Sequence, residues 1–142
     1  MMNLRDVEVF RPYDSEFPEA MLELAGASDA CIENLRAAEI VRVAKRGDLV
    51  LGVYAMSRKD MQCFEVLGVM VDAPHRHQGL GRWLMGHAIG VAESKGARWV
   101  KLLNSGTSRC FTRMGFYPAD DTDGAPGTGV RSRALRFDLI QE

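Results

Sequence analysis

Residue types suited to handling a charged ligand crowd into one stretch of the chain, Val69-Met70-Val71-Asp72-Ala73-Pro74-His75-Arg76-His77-Gln78-Gly79-Leu80-Gly81-Arg82. An apolar extended run ends at Asp72 and a run with helical periodicity starts after Gly79, so the stretch joins a strand to a helix. Gly79 and Gly81 admit backbone angles that other residues avoid, and they let a ligand approach where a side chain would otherwise stand. Free N–H groups at the start of the helix would point at an anion such as a phosphate, aided by the positive end of the helix dipole. Arg76, His77 and Arg82 add donors nearby. Glycine also punctuates turns that bind nothing, so this turn alone leaves a phosphate site and a plain chain reversal both open. Two nucleotide motifs are excluded. A dinucleotide fingerprint needs a third glycine where this chain has Leu84, and a P-loop needs Gly-Lys-Ser/Thr, which is absent.

The elements that must position this stretch follow from periodicity and punctuation. Val7 and Val9 lie in a short extended run ending near Pro12. Asp14 or Ser15 then caps a helix through Phe17, Met21, Leu22 and Leu24, ended by Gly26, and Ser28 or Asp29 caps a second short helix carrying Cys31, Ile32 and Leu35. From Glu39 the period changes to two, and runs on either side of Gly47-Asp48 read as a hairpin; Cys63 to Val71 is the third strand of a meander. Leu80, Leu84, Ala88, Val91 and Ala92 share a helical face between Gly79 and Lys95, with Gly96 as the stop. Arg98–Leu103 reads as a strand, Thr107–Met114 as one or two helical turns, Ala119–Gly129 as a loop rich in Asp, Gly and Pro, and Val130–Ile140 as a last strand. This order predicts an α/β or α+β sheet with helices on its faces.

Bulk properties bound the rest. The 142 residues suit one domain. Eighteen basic against nineteen acidic residues leave a net charge of −1, so no global positive excess exists to hold nucleic acid. No apolar run approaches a membrane span, and the first residues lack signal-peptide design, which predicts a cytoplasmic protein without membrane attachment. Cys31, Cys63 and Cys110 are odd in number and show no metal-ligand spacing, so reduced thiols and no metal are expected.

Arg76-x-x-Gly79-x-Gly81 resembles the Arg/Gln-x-x-Gly-x-Gly/Ala signature of the GCN5-related N-acetyltransferase (GNAT) superfamily. The context is similar as well: Asn104 is followed seven residues later by Phe111, where that superfamily often has tyrosine, and four residues beyond that by Gly115-Phe116. The resemblance implies a mixed central sheet of about six to seven strands with helices on both faces, acetyl-CoA as cosubstrate, and an amine acceptor. It further implies that backbone groups of Val69, Met70 and Val71 hold the pantetheine arm and that amides of His77, Gln78, Gly79, Leu80, Gly81 and Arg82 hold the pyrophosphate. Arg76 is the signature's first residue, and Asn104 and Phe111 fall beside the thioester end.

Glu65 stands eleven residues before Arg76, the spacing at which histone-acetyltransferase-like members place a general base. A base is needed because an ammonium has no lone pair for attack. The competing role is a strand glutamate paired with a cation. Phe111 lacks the tyrosine hydroxyl that can protonate a departing thiolate; Cys110 and Tyr117 are the nearby candidates for a substitute donor, but they read as a packed cysteine and a tyrosine at a strand start. Two functions therefore stand: transfer of an acetyl group to a primary amine of a small molecule or peptide, or a non-catalytic acetyl-CoA-binding module that reports to a protein partner. The resemblance is also compatible with a homodimer. His87 reads as a packed or surface histidine, and Asp120, Asp121 and Asp123 as a solvated acidic loop.

Overall fold

The computed structural model describes residues 6–76, 78–103, 117–120 and 133–138. Seven strands form one sheet: β1 (Glu8–Phe10), β2 (Ile40–Arg46), β3 (Leu49–Arg58), β4 (Cys63–Val71), β5 (Trp99–Leu103), β6 (Tyr117–Asp120) and β7 (Arg133–Asp138). Their spatial order is β1-β2-β3-β4-β5-β7-β6. Every neighbouring pair is antiparallel except β4 and β5, which are parallel. A parallel pair needs a long crossover, and α3 (Leu80–Ser94) supplies it. The mixed sheet of the expected size is thus present. Ala119 and Asp120, expected to open a loop, belong instead to β6, pairing with Ala134 and Arg133, and the rest of that segment lies outside the described residues.

Two apolar layers sandwich the sheet. On one face α3 buries Leu80, Leu84, Met85, Ala88 and Ala92 against Tyr54, Phe64, Val66, Val100 and Leu102. On the other, Phe17 and the helices α1 (Glu19–Leu24) and α2 (Asp29–Arg36) place Leu22, Ile32 and Leu35 against Val43, Val53 and Ala55. Ser28 caps α2 as expected, its hydroxyl accepting the Cys31 N–H at 3.1 Å. The cap expected for α1 is corrected: residues Asp14–Glu16 form a separate 3-10 turn, and α1 starts only after Pro18, a residue that disfavours helical angles at Phe17 before it. Glu16 instead ties that turn down, accepting the Tyr13 N–H and pairing with Lys45 of β2.

Two glycines set how closely the layers approach. A Cβ on Gly52 would lie 2.8 Å from Leu84 Cδ1 and 2.9 Å from the Met70 carbonyl oxygen, so α3 and β4 both occupy the space a side chain would need. On the opposite face a Cβ on Gly68 would come within 3.0 Å of Leu35 Cδ2, the end of a flexible side chain. At the far end of α3, Arg58 stacks 4.7 Å over the Phe64 ring and donates to the Lys95 carbonyl at 2.9 Å, a cation satisfying the end of the helix. Gly52→Ala is expected to cost about 2–3 kcal/mol, because backbone must yield, whereas Gly68→Ala costs about 1 kcal/mol or less. Urea unfolding of the two variants measures this, and equal costs would contradict the packing described.

Candidate functional site

The central feature is a strand whose second half, among the described residues, is bonded on one side only. β4 pairs with β3 from Phe64 to Val71, but with β5 only from Cys63↔Trp99 to Val66↔Leu102. Beyond Val66 the β5-facing edge of β4 has no strand partner among the described residues. That edge is a row of backbone donors and acceptors able to take an extended ligand as an added strand. A bulge marks the point of separation: Ala55 faces Gly68 and Met56 faces Val66, leaving Leu67 without an opposite number. The extra residue shifts the alternation by one, so Val69 and Val71 pack with Phe64 and Val66 on the α3 face, while Leu67 and Met70 pack on the α1–α2 side.

The open edge runs directly into the glycine turn. Ala73–His75 make a short 3-10 turn after Asp72, and Gly79 then adopts φ +87° as the residue that starts α3. This left-handed conformation suits glycine and strains other residues. The first N–H groups of α3, on Leu80, Gly81 and Arg82, have no acceptor within the helix. No acidic side chain sits in that first turn to compete for an anion. Among the described residues nothing lies within 4 Å of where a Gly79 Cβ would be, and a Gly81 Cβ would make ordinary contact, 3.7 Å, with Val71 Cγ2.

Arg76 is placed differently from its neighbours. Its Nε donates to the Val71 carbonyl at 3.0 Å and its Nη2 lies 3.6 Å from Met70 Sδ, so the guanidinium covers the end of β4. Gln78 and Arg82 flank Gly79, with Arg82 exposed. The expected site residues His77, Asn104 and Phe111 lie outside the described residues, as do Cys110 and Gly115-Phe116. Tyr117 opens β6 opposite Arg136.

Glu65 lies four residues before Val69, on the face opposite α3. Its side chain is 20% exposed, and a carboxylate oxygen is 3.8 Å from Lys59 Nζ. The register sets Ser57 on one side and Lys101 on the other. Neither lysine was singled out from sequence, since Lys59 is brought round by a turn and Lys101 by long-range pairing. Cys63, two residues earlier, is a packed thiol whose pKa burial raises, with Asp60 adding to the rise and Lys101 and Lys59 opposing it. It is a poor nucleophile in that state.

His87 is bonded rather than open to substrate. Its Nδ1 and the fully buried Tyr54 hydroxyl are 2.8 Å apart, and burial, assisted by Arg42, lowers the histidine pKa. The same burial pushes Tyr54 up to about 12, with Arg42 acting against the rise. The pair fastens the middle of α3 to β3. Among the described residues no three His, Cys, Asp or Glu side chains gather as a metal site, and no helix is long and apolar enough to cross a membrane.

The sequence model of the acetyltransferase (GNAT) family matches residues 3–116. The chain belongs to that family. Its fold is that of a GNAT acetyltransferase from Elizabethkingia anophelis with acetyl-CoA bound, 20% identical, with TM-score 0.76 over 94% of this chain and 99% of that one. It is equally that of the IAA acetyltransferase from Bacillus cereus, 23% identical, with TM-score 0.77 over 94% and 99% of the two chains. The N-acetylglutamate synthase from Neisseria gonorrhoeae, complexed with coenzyme A and N-acetyl-glutamate, is 22% identical with TM-score 0.75; the match covers 95% of this chain and 35% of that one. At these identities the likeness is one of fold. No curated protein matches the sequence.

A histidine held below its ordinary pKa of about 6.5 stabilises the folded state fully above that value, and the contribution is lost as pH falls through the folded-state pKa. His87→Gln should therefore flatten the fall in urea midpoint between neutral and mildly acidic pH relative to the unsubstituted chain. Parallel profiles for the two proteins would exclude His87 as the source.

Proposed function

We propose that the chain is a one-domain N-acetyltransferase that moves an acetyl group from acetyl-CoA to a primary amine by direct attack in a ternary complex. One observation carries the reading: the part of the β4 edge with no strand partner among the described residues is followed, eight residues after Val71, by the positive-φ start of α3. A pantetheine arm carries amides along an extended chain and ends in a pyrophosphate. Backbone groups of Val69, Met70 and Val71 fit the first part. The N–H groups from Gly79 to Arg82 fit the second, with Gln78 and His77 preceding them and Arg76 closing the strand end. Similar folds crystallised with acetyl-CoA or coenzyme A support this assignment. The bound thioester supplies an activated acyl group.

The chemistry left to the chain is orientation and proton removal. Glu65, at the base of the β4–β5 separation, takes a proton from the acceptor ammonium directly or through water. The freed nitrogen attacks the thioester carbonyl; a C–N bond forms, the C–S bond breaks, and the second proton that the nitrogen sheds reaches the departing thiolate through water. A thiol with a pKa near about 8.5 leaves without strong acid help, which accommodates Phe111 in place of a proton donor. Strand amides at the Glu65 end of the open edge, near Val69, steady the oxyanion that develops on the carbonyl. The engagement of Glu65 by Lys59 favours one other reading, a non-catalytic acetyl-CoA sensor acting on a protein partner, in which the carboxylate is structural. Tight cofactor binding with no thiol release from any amine would select the sensor.

Two variants test the halves separately. Gly79→Ala should lower stability by only about 1–2 kcal/mol, the cost of a Cβ at φ +87°, yet weaken acetyl-CoA binding by at least about tenfold by calorimetry because the N–H groups of the turn are no longer held for the pyrophosphate. Unchanged affinity would remove the phosphate site from this turn. Glu65→Gln should lower kcat by about 10²-fold or more and abolish the acidic limb of the rate profile. An unaltered profile would assign Glu65 to structure alone.

A further inference from the structure

Arg76 stands between the open edge of β4 and the glycine turn, yet its bonds go back to the strand. Its Nε donates to the Val71 carbonyl at 3.0 Å and its Nη2 lies 3.6 Å from Met70 Sδ, so the guanidinium lies across the end of β4. The Ala73–His75 turn, in which the His75 N–H donates to the Asp72 carbonyl at 2.9 Å, folds the chain so that this side chain can reach back.

Successive residues of a strand in an antiparallel pair turn their N–H and C=O to alternate sides. Asp72 donates its N–H to the Leu51 carbonyl of β3 at 2.8 Å. Met70, two residues earlier, therefore also turns to β3, and of the three strand residues named above Val69 and Val71 turn to the open edge. From the Glu65 end outward that edge presents the Val69 N–H, the Val69 C=O, the Val71 N–H and the Val71 C=O. Arg76 has taken the last of these. At the inner end β5 closes the edge, its pairing reaching Val66↔Leu102. The stretch left for a ligand is bounded by a strand on one side and a guanidinium on the other.

An acylated pantetheine arm uses the remaining groups in order. Its thioester carbonyl accepts the Val69 N–H, its first amide N–H donates to the Val69 C=O, and that amide's carbonyl accepts the Val71 N–H. An arm slipped by one strand repeat toward α3, about 6.7 Å, would carry the thioester to the Val71 N–H and would need the Val71 C=O for its amide. We propose, resting on the acetyltransfer reading above, that Arg76 is a positioning residue whose guanidinium acts as a register stop, excluding the slipped arm and holding the thioester carbonyl on the Val69 N–H. It acts through the strand end rather than on the phosphates.

Two substitutions test this. Arg76→Met keeps the stem and removes the donor, whereas Arg76→Gln places Nε2 as many bonds from Cα as the arginine Nε and can donate to the same carbonyl. Arg76 is exposed, and the urea midpoints of both variants should match that of the unsubstituted chain. Thiol release with spermidine, L-lysine and L-alaninamide, calorimetry of acetyl-CoA, and amide hydrogen exchange with acetyl-CoA bound are measured on all three proteins. In Arg76→Met, kcat should fall by at least about tenfold because the reacting carbon is misplaced, while acetyl-CoA affinity changes by less than about threefold. Acetyl-CoA should protect the Val69 and Val71 N–H groups of the unsubstituted chain, and in Arg76→Met the Val69 protection should drop by at least about tenfold while that of Val71 persists. Arg76→Gln should retain both kcat and the Val69 protection. Affinity lost in Arg76→Met with Val69 protection and kcat retained would assign Arg76 to the phosphates and overturn the register stop, leaving acetyltransfer intact. Equal loss of Val69 protection in both variants would also overturn it. Val69 protection lost in Arg76→Met and kept in Arg76→Gln, with no thiol release from any of the amines, upholds the register stop and counts against the transfer reading.

Discussion

The separation of β4 from β5 is the constraint on which the rest of the molecule turns. A central strand ordinarily spends its backbone groups on two neighbours, and leaving one side unmade is costly unless another partner arrives. Here β4 pairs with β3 on both sides of the bulge, from Phe64 to Val71, and the last five residues, from Leu67 to Val71, have no second strand neighbour among the described residues. The bulge at Leu67 makes this possible without disturbing the core, because the shifted alternation returns Val69 and Val71 to the layer under α3. Glu65 falls on one side of the separation and Gly79–Gly81 follow from the other. The proposed acid–base and anion-binding functions are thus distributed along a single strand and its following turn.

Much of this was legible in the sequence, for identifiable reasons. Gly79 and Gly81 announce a turn that tolerates unusual angles, and the period-two runs from Ile40 to Val71 announce a meander, since both signals are local. The Leu67 bulge is silent. Val66, Leu67, Gly68, Val69, Met70 and Val71 are apolar or small on both faces, so no polar residue reports that the alternation has slipped by one. The start of α1 was misplaced because Asp14 and Ser15 are good caps in isolation, whereas Pro18 sets the boundary through backbone sterics. Glu65 was legible only by its spacing from Arg76. Its lysine neighbours depend on a turn and on a strand partner thirty-six residues farther along, which no local pattern encodes.

The electrostatic character of the two ends differs in kind. Around Gly79 the favourable field comes from backbone dipoles, which are fixed by the fold and do not titrate. Around Glu65 it comes from side chains of both signs, Lys59 at 3.8 Å from Glu65 and Lys101 opposite it in register. A fixed field suits a cosubstrate whose polyanionic part never varies.

The attachments of α3 have a mechanical meaning. The helix is fifteen residues long, about 22 Å, and it is seated on Gly52 through Leu84, tied to Tyr54 through His87, and held at its C-terminus by Arg58. Three fastenings along one rod leave little freedom to tilt or slide. The same Arg58 immediately precedes Lys59, so the helix acts as a strut joining the glycine turn at one end to the lysine-bearing turn at the other. The distance between the two halves of the site is thereby set by the length of a rigid element rather than by the slack of its loops.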